Sequence, residues 1–176
     1  VVVVSSGDPG VFAMASAVFE AVETGPLSWR ELDIAVLPGI TAMLAAAARL
    51  GAPLGHDFCV INLSDNLKPW SIIETRLRLA VEADFAMAFY NPRSKARPEG
   101  FEKALDLLKR SCEKERLIMF ARAVSTPEES LLTVALSDAT PDMADMRTMV
   151  LLGSRQTRLI PRKNAAPIVY TPRSLR

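Results

Sequence analysis

The chain has 176 residues, 49% of them hydrophobic, which is enough to bury a sizeable core in one domain or in two small ones. Its 21 Lys and Arg against 20 Asp and Glu leave a net charge of +1, so there is no global electrostatic case for a nucleic-acid partner. Two widely separated cysteines and one histidine fit neither a disulfide framework nor a zinc site; no metal is expected, and with no leader-like or bilayer-length apolar run the reading is a protein of the reducing cytoplasm with no membrane partner.

Residues 1–4 are an unbroken valine run, suited to a strand buried on both faces of a parallel sheet. Ser5, Ser6 and Gly7 break it, Asp8 and Pro9 are favoured at a helix start, and residues 11–22 carry apolar side chains at helical spacing. The unit reads strand, tight turn, helix, with the turn at the strand's carboxyl end, where open α/β sheets bind ligands. It is no phosphate loop: neither G-x-x-x-x-G-K-[ST] nor G-x-G-x-x-G is present, and the Asp8 carboxylate would repel phosphate. Asp8 either caps the helix or faces a ligand offering hydroxyls or a cation. The chain begins inside this apolar run without a Met, which suggests a piece of a longer protein.

The architecture recurs. Residues 34–37 read as a second short strand, Pro38 and Gly39 as a turn, Thr41 as an N-cap, and residues 42–50 as an alanine-rich helix closed by Gly51. Residues 51–57, with Pro53 and Gly55, suit a domain boundary. Beyond it the expected elements are a strand at 58–63, the polar loop SDNLKPW, a helix at 71–83, a strand at 84–90, the turn Asn91-Pro92-Arg93-Ser94 and a helix from Pro98 to about 111. Strands follow at 117–121 and 131–136, the second antiparallel to a neighbour, then turn and short-helix signals over 138–146 and a strand at 147–153. Residues 154–176, rich in arginine and without a sustained period, read as an extended basic tail.

The motifs SSGDPGVF, LPGITA, SDNLKPW, FYNPRS and MVLLGSRQTR, in that order, resemble the tetrapyrrole (corrin/porphyrin) methylase family over nearly the whole chain. SDNLKPW and YNPRS are the more specific and point to the branch that methylates C17 of a precorrin. The family's opening strand and glycine-rich loop have no counterpart here. The resemblance implies an α/β fold of two domains: residues 1–54 as the C-terminal part of a parallel N-terminal domain, and 55–176 as a mixed-sheet C-terminal domain. It also implies S-adenosylmethionine folded into the cleft between them. Gly7, Asp8, Val11, Thr41 and Ala42 would line that cofactor from the two turns, with Asn91 and Ala123 approaching from the second domain.

The implied chemistry is methyl transfer to C17 of precorrin-3B with ring contraction, in a homodimer. Such a substrate carries many carboxylates, and Lys68, Arg93, Lys95, Arg97 and Arg122 are the candidate contacts. No general acid or base stands out; Asp65 is the choice by exclusion. The open alternatives are a cobalt-factor III substrate, another precorrin methylase, or a non-catalytic dimerising piece.

Overall fold

The computed structural model describes residues 1–94 and 98–174. The chain divides into two compact units, Val1–Leu44 and Ala45–Arg176.

The first unit contains no strand. The expected strands at 1–4 and 34–37 do not form, and all four valines are exposed. A β-branched run becomes a strand only when a neighbour completes its ladder, and nothing in this unit does so. Helix α1 spans Met14–Thr24 and starts later than the periodicity suggests. Phe12 sits at φ 52°, in the left-handed region, and extended Ala13 occupies the N-cap without a side-chain bond, so Asp8 and Pro9 do not cap this helix. A 3-10 turn, Leu27–Glu31, follows. Helix α2, Ala42–Leu50, begins directly after Thr41, as expected.

The second unit is built on a five-stranded mixed sheet whose strands lie in the order Phe58–Asn62, Ala86–Tyr90, Thr148–Leu152, Leu117–Arg122 and Ser130–Ala135. Strands β2 (Phe58–Asn62) and β3 (Ala86–Tyr90) are parallel, with Asn62 opposite Tyr90. Strand β6 (Thr148–Leu152) lies antiparallel to both β3 and β4 (Leu117–Arg122), so β2, β3 and β4 all point the same way. Strand β5 (Ser130–Ala135) closes the far edge, antiparallel to β4. Helices α3 (Trp70–Glu82) and α4 (Glu99–Ser111) pack on one face, burying Ile73, Leu77, Phe101, Leu105 and Leu108 against Phe89, Ile118, Phe120 and Val150. Phe101 meets Phe120 edge-on at a centroid distance of 6.1 Å, and each such aromatic or aliphatic side chain contributes about 1.5–3 kcal/mol by burial.

The basic stretch at the end is not a bare tail. Strands β7 (Arg158–Ile160) and β8 (Ile168–Tyr170) form a hairpin, and β8 also pairs in parallel with β1 (Gly51–Ala52). Three-residue strands interspersed with arginines are too short to show a period, which is why the sequence reads as irregular here. Gly51 follows α2 as expected but at φ 130°, and a side chain there would run into the Val169 carbonyl at 2.5 Å.

At the edge where β3 and β4 begin, Arg116 is buried with its side chain 1% exposed. Its guanidinium donates to Asp84 Oδ1 at 2.9 Å and to Glu113 Oε2 at 2.8 Å, and Arg155 Nε donates to Glu113 Oε1 at 2.7 Å. The Arg155 hydrogen bond, its own backbone N–H and Arg116 together hold the Glu113 carboxyl at about 2, below its ordinary 4.5. A depressed carboxyl stabilises the fold fully above its unfolded value and loses that contribution as pH falls toward the folded one. The urea midpoints of wild type and Glu113→Gln should therefore differ at neutral pH and converge between 4.5 and about 2. A gap that stays constant across that window would refute the assignment.

Candidate functional site

In the first unit the two expected ligand turns are brought together by Asp8. Its Oδ1 accepts Gly10 N–H at 2.8 Å and its Oδ2 accepts Gly39 N–H at 3.0 Å, across 31 residues. Val11 N–H closes the first turn onto the Asp8 carbonyl at 3.2 Å. Gly7 is left-handed, at φ 73°, and a side chain at Gly39 would strike the Gly7 carbonyl oxygen. The turns approach so closely that both must be glycine. Thr41 is buried, its Cα close to Gly7, and Ala42 is exposed at the start of α2. The sequence pointed to both turns but not to the carboxylate that clips one to the other, because that bond is long-range.

In the second unit the relevant feature is the carboxyl edge of the mixed sheet. It carries the ends of β2, β3 and β4 and, because β6 and β5 run the other way, their first residues Thr148 and Ser130. Two expected cofactor residues sit at these strand ends with left-handed backbones: Asn91 at φ 51° and Ala123 at φ 49°. Non-glycine residues held there cost about 1–3 kcal/mol each, and such strain clusters at functional sites. Asn91 Nδ2 donates to Asn62 Oδ1 at 3.2 Å, and Asn62 Oδ1 also accepts Ser64 N–H at 2.9 Å, so adjacent parallel strand ends share one amide link. Ala123 N–H donates to the Arg147 carbonyl at 2.9 Å.

The expected basic residues meet different fates. Arg122 Nε donates to Asp145 Oδ2 at 2.7 Å, and Arg93 Nη1 reaches the Pro141 carbonyl at 3.4 Å. Lys68 folds back on its own loop, donating to the Ser64 carbonyl at 2.9 Å, and burial lowers its pKa, with Arg76 adding repulsion. Asp65 is exposed in that same loop. Lys95 and Arg97 lie outside the described residues.

Three residues escaped the sequence reading. Asn62 anchors Asn91. Asp145 binds Arg122, Thr148 Oγ1 at 2.7 Å and Arg147 N–H at 2.9 Å; burial pushes its carboxyl up, but these bonds outweigh burial and leave its pKa lowered. Arg147 and Arg93 both line a cleft of about 510 Å³ at this edge. Only the antiparallel placement of β6 brings residues 145–148 here, and no local signal announces it.

The first unit thus presents backbone groups and a carboxylate with no Lys or Arg in either turn, and the second an arginine-bearing edge of a mixed α/β sheet. Turns and strand ends of this kind are where α/β proteins hold small ligands. The chain belongs to the Tetrapyrrole (Corrin/Porphyrin) Methylases, whose family model matches residues 1–140. It is 52% identical over 173 residues to a precorrin-3B C(17)-methyltransferase of Sinorhizobium sp, an alignment covering 98% of this chain and 68% of that protein. The crystal structure of the methyltransferase CobJ superposes with a TM-score of 0.88 at 63% identity, over 96% of this chain and 68% of that one. The uroporphyrin-III C-methyltransferase of Thermus thermophilus, solved in complex with S-adenosyl homocysteine, shares the fold with a TM-score of 0.58 at 20% identity, over 84% of this chain and 62% of that one.

Proposed function

We propose that this chain is part of an S-adenosylmethionine-dependent methyltransferase acting on C17 of precorrin-3B, with ring contraction, in cobalamin biosynthesis. The observation that carries the reading is the 52% identity, across 98% of the chain, to a relative bearing that name. The donor set agrees with the cofactor: turns lined by N–H, C=O and one carboxylate suit a ribose and an ammonium group and offer no cation for a phosphate. On this reading residues 1–54 belong to an N-terminal α/β domain, residues 55–176 form the C-terminal one, and the enzyme is a cytoplasmic homodimer.

The bound cofactor supplies a methyl already activated on sulfonium, so the protein's task is alignment and exclusion of water. Asp8 fixes the spacing of the two turns, and Gly7, Val11, Thr41 and Ala42 give the cofactor its contacts. Asn91, steadied by Asn62, and Ala123 contribute backbone groups from the sheet edge. Arg93 presents positive charge to the substrate's carboxylates, Arg122 stands at the same sheet edge with its charge paired to Asp145, and Asp65, exposed after β2, is the carboxylate proposed to handle a proton during contraction.

The test is turnover by the full-length enzyme. Incubation with S-adenosylmethionine and either precorrin-3B or cobalt-factor III, followed by mass spectrometry, should show one added methyl on precorrin-3B. Methylation of the cobalt substrate alone would reassign the branch, and methyl transfer to neither would end the proposal.

A further inference from the structure

We infer that the cleft lined by Arg93 and Arg147 is a carboxylate pocket that seats one peripheral acid arm of the macrocycle; the inference rests on the tetrapyrrole substrate proposed above. The cleft holds about 510 Å³ and is lined by Arg93, Ser94, Asp145, Met146 and Arg147 among others. That volume accommodates a carboxymethyl or carboxyethyl arm together with part of the ring that bears it.

The charges lining the cleft favour an anion. Asp145 is its acidic lining residue, and both its oxygens are already engaged, Oδ2 by Arg122 and Oδ1 by Thr148 and Arg147 N–H. Its charge is therefore matched by Arg122, which leaves the guanidinium groups of Arg93 and Arg147 to set the sign of the pocket. Neither is strongly committed. Arg147 pairs with Glu128 at 3.2 Å with the two side chains 49% and 61% exposed, the kind of surface contact worth little. Glu128 is held more closely by Thr126 Oγ1, at 2.8 Å, so it keeps a partner when Arg147 turns away. Among the described residues, Arg93 makes one long bond, at 3.4 Å, to the neutral Pro141 carbonyl. Asp142, the acid that Arg93 acts on, has its pKa lowered first by a Thr140 hydrogen bond and only lastly by the charge of Arg93.

A guanidinium has five donors in a fork that matches a carboxylate, and two such forks on one cleft give a site for a carboxylate arm. Met146, 56% exposed beside Arg147, offers apolar surface to the methylenes and the ring edge. Arg147 enters from the start of β6 and Arg93 from the turn after β3, so the pocket reads substrate orientation from two independent loops.

Two measurements on the full-length enzyme test this. Steady-state kinetics with precorrin-3B should show KM raised about 10- to 100-fold in Arg147→Ala and in Arg93→Ala, with kcat and the S-adenosylmethionine Kd little changed. Arg147→Lys should recover only part of the loss, because an ammonium cannot grip bidentately. Equilibrium binding of uroporphyrin III, an octacarboxylate probe, should weaken in the same variants, and the difference should vanish with its octamethyl ester. Probe binding and KM that are indifferent to both arginines would overturn the pocket, as would a loss confined to kcat. An arginine-dependent probe affinity in an enzyme that methylates nothing would leave the pocket standing and remove only the proposed reaction.

Discussion

Asp8→Ala is expected to weaken S-adenosylmethionine binding at least 30-fold while leaving the mixed sheet intact. The carboxylate receives two backbone N–H groups, from Gly10 and Gly39, and hydrogen bonds to a charged acceptor are worth about 1.5–3 kcal/mol each. Discounted for the half-exposed setting, their joint loss is about 2–4 kcal/mol, and a tenfold change in affinity corresponds to about 1.4 kcal/mol. The loss falls on the register between the turns, because the one carboxylate accepts from Gly10 N–H in the first turn and Gly39 N–H in the second. Asp8→Asn should be nearly as damaging, since one amide edge would set N–H against N–H. Calorimetry with S-adenosylmethionine on full-length protein checks the affinity, and amide exchange at Gly39 checks the cause. Unchanged affinity in the alanine variant would show that the turns do not form the cofactor's seat.

The second large effect is on stability and is placed where it should not touch chemistry. Arg116→Met is expected to cost about 2–4 kcal/mol in urea unfolding. Removing one partner of a buried ion pair costs about 3–5 kcal/mol, reduced here because Asp84 and Glu113 are 23% and 47% exposed and both keep bonds from Arg155. The buried Nη1 of Arg116 has no hydrogen-bond partner among the described residues, so its removal returns part of the cost. Adding Asp84→Asn and Glu113→Gln to the methionine variant should restore much of the loss. Because this cluster lies at the sheet edge opposite Asn91 and Ala123, kcat of the folded fraction should be unchanged; a fall in kcat would mean the two edges are coupled.

Local periodicity was enough for most of the second unit. Helices α3 and α4 and strands β2 to β6 fall within a few residues of their expected positions, since each carries an apolar face of the right period and a breaker at its end. What periodicity could not supply was partnership. The valine run at 1–4 has strand composition but no ladder, and the short β7 and β8 have a ladder but no legible composition. The site divided along the same line. Asn91, Arg93, Arg122 and Ala123 lie on turns that the chain marks with NPRS or a strand end. Asn62, Asp145 and Arg147 matter only because of which strands are neighbours, and the Asp8 carboxylate, legible as a cap, works instead as a clip over 31 residues.

Strand β6 has a further consequence for how the unit is made. It lies between β3 and β4, which are not hydrogen-bonded to each other, yet it is the last of the five strands in the chain. As the polypeptide leaves the ribosome, Ala86–Tyr90 emerges with one ladder edge satisfied by β2 and the other open, and four of its five residues are destined for full burial. The sheet cannot close until Leu152 is out. Nearly all of the domain must therefore be synthesised before its nucleus is complete, which makes it a late, high-contact-order folder and leaves an apolar edge for chaperones to shield during translation.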